Sequence, residues 1–187
     1  MTHTINHVRV FHELYGHPVA ERLDPGTREL RELRVKLIAE ELCELCEALG
    51  VKLRIDYDPA LPSRQQYFAV DATGDDNQVN LVEAADALGD LDYVVQGANL
   101  VFGVPAEAVM AEIQRANLSK LGEDGKPIRR EDGKIMKGPN YSPPNIRQVL
   151  DVYESQRANA SKVEKEPKLA PDAGLRVEPY ESYGGAD

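Results

Sequence analysis

No run of apolar residues in this chain of 187 is long enough to span a membrane, which points to a soluble protein of one domain with a core of its own. Basic residues are outnumbered: 22 Lys and Arg stand against 32 Asp and Glu, a formal net charge of -10. Too little positive surface remains to neutralise a nucleic-acid backbone over many contacts, so a general nucleic-acid binder is excluded and only a local basic patch is left open. Cysteine is nearly missing. Cys43 and Cys46 lie three apart within one helical pattern, offer no disulfide framework and lack two further ligands for zinc, so they read as packing residues. With no apolar signal region near Met1, the expected compartment is the cytoplasm.

What the chain does have is helical periodicity. Val8, Phe11 and Leu14 recur at helix spacing between about Asn6 and Tyr15, and Gly16 and Pro18 end the pattern. Asp24 and Pro25 read as a cap and first-turn proline ahead of a long helix ending at Gly50, with Leu30, Leu33, Leu37, Ile38, Leu42, Leu45 and Leu49 on its apolar arc. Between 51 and 78 the pattern fails, and VKLRIDYD and QQYFAVD read as the strands of an inserted hairpin. A second long helix is expected over Val79 to Phe102, with Leu81, Ala85, Leu88 and Val95 on one stripe. A third begins near Pro105, turns Val109, Ile113 and Ala116 inward and carries Asn117 and Lys120 on the same face.

From Leu121 to Pro144 the chain is rich in Gly, Pro and Lys, and EDGK occurs twice, at 123–126 and 131–134, each time as a turn. Asn145 to Arg157 is expected to form the last helix. These segments describe an all-α fold in one domain over 1–158, interrupted by the segment 51–78 and followed by an extended tail, 159–187, without a core. Helices apolar on several faces call for a partner, so a homo-oligomer, dimer or tetramer, is expected.

The long helix breaks its own pattern. On a wheel of ~100° per residue, Glu41 and Glu44 of EELCELCEALG fall inside the apolar arc, where an unpaired carboxylate is costly. On the next long helix, Glu83 and Asp86 repeat the three-residue spacing that puts two side chains on one face. Either helix alone would read as a solvated acidic face. Two such faces packed together gather four carboxylates around one point, an all-oxygen set suited to Mg²⁺ or Mn²⁺. A ferritin-like di-iron site is excluded because it needs Glu-x-x-His, and His3, His7, His12 and His17 all precede the acidic helices.

EELCE, EAADALGD and NLSKLGEDGKPIRREDGKIMKGPNYSPPNI, in that order, resemble the MazG-like, all-α nucleoside triphosphate pyrophosphohydrolases, phage members included, over roughly His7 to Ile146. The resemblance implies a MazG-like helical bundle whose active site lies among packed helices. It also implies cleavage of a nucleoside triphosphate between the α- and β-phosphates, and allows a purine deoxynucleotide such as dGTP. Glu41, Glu44, Glu83 and Asp86 would then hold Mg²⁺ or Mn²⁺, which polarises the phosphate and acidifies water, with Asp90 as an outer ligand or acceptor. Glu40 would be the base, Asn117 a donor to sugar or phosphate, and Lys120, Lys134 and Lys137 the cations that offset phosphate charge. The expected partner is thus a nucleotide, with neither a nucleic-acid polymer nor a membrane. The competing reading is a non-catalytic helical assembly protein whose carboxylates only hold a structural ion. The Asn117 and Lys120 face would have no use there.

Overall fold

Two long helices laid antiparallel form the frame of the molecule. The computed structural model describes residues 4–62, 67–72, 79–131 and 133–163. Its elements in order are α1 (Thr4–Tyr15), α2 (Arg28–Ala48), β1 (Val51–Asp56), β2 (Tyr67–Ala72), α3 (Leu81–Phe102), α4 (Ala106–Leu118) and α5 (Ile146–Val163). Among the described residues no single helix is long and apolar enough to cross a membrane.

α2 begins later than Asp24 and Pro25 suggest. Thr27 is the cap, its hydroxyl accepting from the Leu30 amide at 3.2 Å, a contact of about 1 kcal/mol. The Asp24 carboxylate accepts from the Gly26 amide at 2.8 Å instead, and this local turn delays the helix. At the other end Gly50, at φ 61°, turns the chain straight into the hairpin, as its position after the last turn predicts. β1 and β2 pair antiparallel from Val51↔Ala72 to Asp56↔Tyr67, so the inserted hairpin is present. Residues 63–66 and 73–78 of the inserted segment lie outside the described residues.

Asn80 starts α3. Its side chain accepts from the amides of Val82 and Glu83, and its own amide donates to the Ala48 carbonyl at 2.8 Å. The last turn of α2 and the first turn of α3 are thereby held at one level. Ala48, Ala84 and Ala87 are buried, and Gly97 is buried farther along α3. Small side chains let the two helices approach closely. The stripe Leu81, Ala85, Leu88 and Val95, expected to pack inward, faces out instead, with Leu81 73% and Leu88 54% exposed. Size, not hydrophobicity, selects the face of α3 that packs on α2.

α1 lies against α3 with Val8 and His12 buried, while Leu14 of the same pattern is exposed. The segment after α1 runs along the end of α3, where the amides of Ala20 and Asp24 donate to the carbonyls of Leu100 and Phe102. Gly103, at φ 64°, then ends α3, and α4 leaves at 114° to it. α4 packs against α5 through Glu112, which accepts from both the Arg115 guanidinium and the Asn145 amide. The Arg115 hydrogen bonds, reinforced by the Asn145 amide, pull the Glu112 carboxyl down to about 2. α5 runs on to Val163, five residues past the expected end of the domain at 158; 164–187 lie outside the described residues.

Candidate active site

Each acidic helix contributes its carboxylates beside the alanine seam. Glu83 and Asp86 each precede a buried alanine, Ala84 and Ala87, so they stand at the rim of the α2–α3 contact. Glu44, Glu83 and Asp86 line one cleft of about 510 Å³, together with Glu47, Ala48 and Asn80. Glu41, half-buried, sits one turn farther along. Burial raises the Glu41 carboxyl above its ordinary range, and the charges of Glu44, Asp90, Glu40 and Asp86 raise it further. The five acids expected to share a site therefore do share a neighbourhood. Glu44, placed by the helix wheel inside the apolar arc, is exposed in the single chain, as are Glu83, Asp86 and Asp90.

The donor set is all oxygen, which fits a hard divalent cation. As the side chains stand, no three acids among the described residues are close enough together to hold one ion. Glu40, on the exposed side, pairs with Lys36 at 3.4 Å.

The basic half of the expected site lies elsewhere in the chain. Asn117 is exposed and Lys120 half-buried, so neither points into a core, and the Lys120 ammonium donates to the Asn117 side chain at 2.8 Å. Both belong to the end of α4, which the bend at Gly103 turns toward α5 and not along α2. Lys134 stands in the second of two tight turns, closed by bridges Leu121↔Pro127 and Arg129↔Ile135. Lys137 lies 4.3 Å over the ring of Tyr141.

Asn80 and Glu47, which the sequence did not single out, complete the acidic cleft. Arg34 and His12 lie outside the expected site residues, yet both are buried, at 5% and 2% exposure. The signal was present in α2, where Arg34 interrupts the apolar arc two turns before Glu41.

The model of one protein family, phosphoribosyl-ATP pyrophosphohydrolase, matches residues 8–117, a span that includes most of α1, both acidic helices and Asn117. The chain belongs to this family. As a member of the phosphoribosyl-ATP pyrophosphohydrolase family it is a nucleotide pyrophosphohydrolase of the all-α, MazG-like kind, and the hairpin and the acidic helix pair fall within the matched span. Lys120, Lys134 and Lys137 lie beyond that span. A crystal structure of a protein from Exiguobacterium sp. 255-15, provisionally named an NTP pyrophosphohydrolase, is 22% identical over 86% of this chain and 98% of that one, with a TM-score of 0.39. That overlap is too loose to carry detail about this chain. No curated protein matches it.

Proposed function

We propose that the protein is a phage-type member that hydrolyses a nucleoside triphosphate between the α- and β-phosphates, releasing a monophosphate and pyrophosphate. A purine deoxynucleotide such as dGTP is our candidate substrate. The observation that carries this reading is the convergence on Glu41 of charge from Glu44, Asp86 and Asp90, drawn from two helices, beside a cleft shared by Glu44, Glu83 and Asp86. Like charges so placed oppose one another unless a cation offsets them.

Glu41, Glu44, Glu83 and Asp86 are the residues that would hold Mg²⁺ or Mn²⁺, with Asp90 behind them as a ligand or acceptor. Such an ion supplies positive charge to the phosphates and acidifies a water. Glu40, which pairs with Lys36 on the exposed side, would accept a proton from the attacking water. Asn117 and Lys120, joined as a donor pair, would bind sugar and phosphate, and Lys134 and Lys137 would offset the remaining charge. Because the bend at Gly103 carries α4 away from α2, we assign that half of the site to a second copy of the chain. The exposed stripe of Leu81, Leu88 and Val95 supports such an oligomer, dimer or tetramer. Residues 1–158 would form this catalytic unit in the cytoplasm.

A panel of ribo- and deoxynucleoside triphosphates, with phosphoribosyl-ATP included because the family is named for it, tests the proposal. Pyrophosphate should appear only with Mg²⁺ or Mn²⁺ and fastest with dGTP. The same metals should raise the melting temperature, since an ion bound only by the folded state stabilises it by about 2.7 kcal/mol at a hundred times its Kd. Silence of the whole triphosphate panel with both metals, or an unmoved melting temperature at millimolar metal, would contradict the reading.

A further inference from the structure

A second cavity, about 340 Å³, opens between α1, α2 and α3, with Phe11, His12, Arg34, Tyr93 and Gly97 among its walls. Arg34 stands seven residues before Glu41 on α2, and Gly97 seven after Asp90 on α3. About 10 Å of helix therefore separates the cavity from Glu41 and Asp90, and about 15 Å separates it from Glu44 and Asp86 of the acidic cleft. A ribose with its chain of phosphates can bridge that gap.

The walls carry an unresolved polar group. Arg34 is 95% buried by its 5% exposure, and its Nε has no hydrogen-bond partner. No salt bridge to it exists among the described residues, and burial alone depresses its proton affinity. A buried guanidinium with a donor left over is costly and wants an acceptor from outside the chain. Gly97 marks where the polar groups meet. A Cβ there would stand 3.2 Å from both Arg34 Nη1 and His12 Nε2, so glycine is what lets both side chains reach across α3.

His12 supplies the complement. Its Nδ1 is 2.9 Å from the Pro18 carbonyl, which can only accept, so the proton sits on Nδ1 and Nε2 is left as an acceptor. Burial lowers the proton affinity of this imidazole and keeps it neutral. One wall thus offers donors from Arg34 near an acceptor from His12. Around it Phe11, stacked on Tyr15 at 4.4 Å and on His17 at 5.7 Å, meets Tyr93 edge to face at 5.9 Å, so the cavity has an aromatic wall.

We propose that this cavity takes the base of the nucleotide whose phosphates lie at the acidic cleft, and that Arg34 with His12 selects bases carrying a C=O next to an N–H. Guanine, hypoxanthine, uracil and thymine carry that edge. Adenine and cytosine present an amino group beside an unprotonated ring nitrogen, the reverse order, so that in the same orientation they would set donor against the Arg34 donors and acceptor against the His12 acceptor. The assignment rests on the reaction proposed above and names its substrate class.

The test compares kcat/KM for dGTP, dITP and dUTP with dATP and dCTP, in the wild type, Arg34→Gln and Arg34→Lys. The wild type should favour the first group by about 10²-fold, a charged hydrogen bond's worth of discrimination. Within that group dGTP against dUTP separates a purine pocket from a pyrimidine one. Arg34→Gln should collapse the ratio between groups, and Arg34→Lys should restore part of it. Rates that fall together on all five substrates, with the ratio intact, would make Arg34 merely structural and overturn the proposal. If Arg34→Gln does not fold, calorimetry on the metal-free wild type decides: inosine should bind and adenosine should not, and equal binding or none overturns the pocket. Inosine binding without any triphosphate turnover keeps the pocket and removes the reaction. Equal turnover of all five triphosphates keeps the reaction and removes the pocket.

Discussion

Glu44→Gln and Asp86→Asn are each expected to abolish pyrophosphate release, by about 10³-fold or more, while the protein stays folded. Both residues are exposed, each substitution preserves volume, and each removes one of several like charges. Neither carboxylate is among the ion pairs or side-chain hydrogen bonds seen at the described residues, so the fold loses no partner. Removing charge next to Glu41, whose carboxyl is already raised by its neighbours, relieves repulsion; the metal-free melting temperature should hold or rise slightly. What is lost, under the proposed assignment, is one of the oxygens that would hold the cation. A pyrophosphate-release assay run beside circular dichroism checks both halves, and full activity in either variant would remove the metal assignment.

Gly103→Ala should produce a large loss of stability from a single methyl group. Gly103 takes φ 64° at the end of α3, a conformation that costs a non-glycine residue about 1 kcal/mol or more. A Cβ there would also run into the carbonyl of Arg22 and approach the Leu23 amide, both backbone atoms that cannot rotate away. The strand of chain from Ala20 to Asp24 would have to leave α3, breaking its bonds to Leu100 and Phe102. We expect about 3 kcal/mol, or a fall of roughly 6–12 °C in Tm for a chain of this size. Gly125→Ala is the control, since its φ of 74° is equally unusual but nothing lies within 4 Å of the new methyl. It should cost about 1 kcal/mol, from the backbone alone. Equal losses in the two variants would mean that the contact with Arg22 does not matter.

Much of this architecture was legible because it depends on local rules. The alternation in VKLRIDYD and QQYFAVD, separated by PALPS, marked the hairpin that β1 and β2 form. The ExxE and ExxD spacings marked the helix faces that meet at Glu41. Other features depend on what the chain does at a distance. Leu81 and Leu88 lie on the periodic stripe that indicated the inner face of α3, yet buried Ala84 and Ala87 mark the contact with α2. Asn117 and Lys120 were rightly placed as neighbours, and they bond each other. Their position relative to the acids is set by the turn at Gly103, which no periodicity in α3 or α4 discloses. His12 and Arg34 are each unremarkable in their own helices, and only the packing of α1, α2 and α3 makes them one wall of a cavity.

The most direct test of the central claim is the identity of the phosphorus products. Purified protein, Mg²⁺ and dGTP, followed by phosphorus NMR or ion-exchange chromatography, should yield deoxynucleoside monophosphate and pyrophosphate in equal amounts, as the proposed hydrolysis between the α- and β-phosphates requires. Diphosphate and orthophosphate in their place would put cleavage at the γ-phosphate and contradict the proposed geometry of the site.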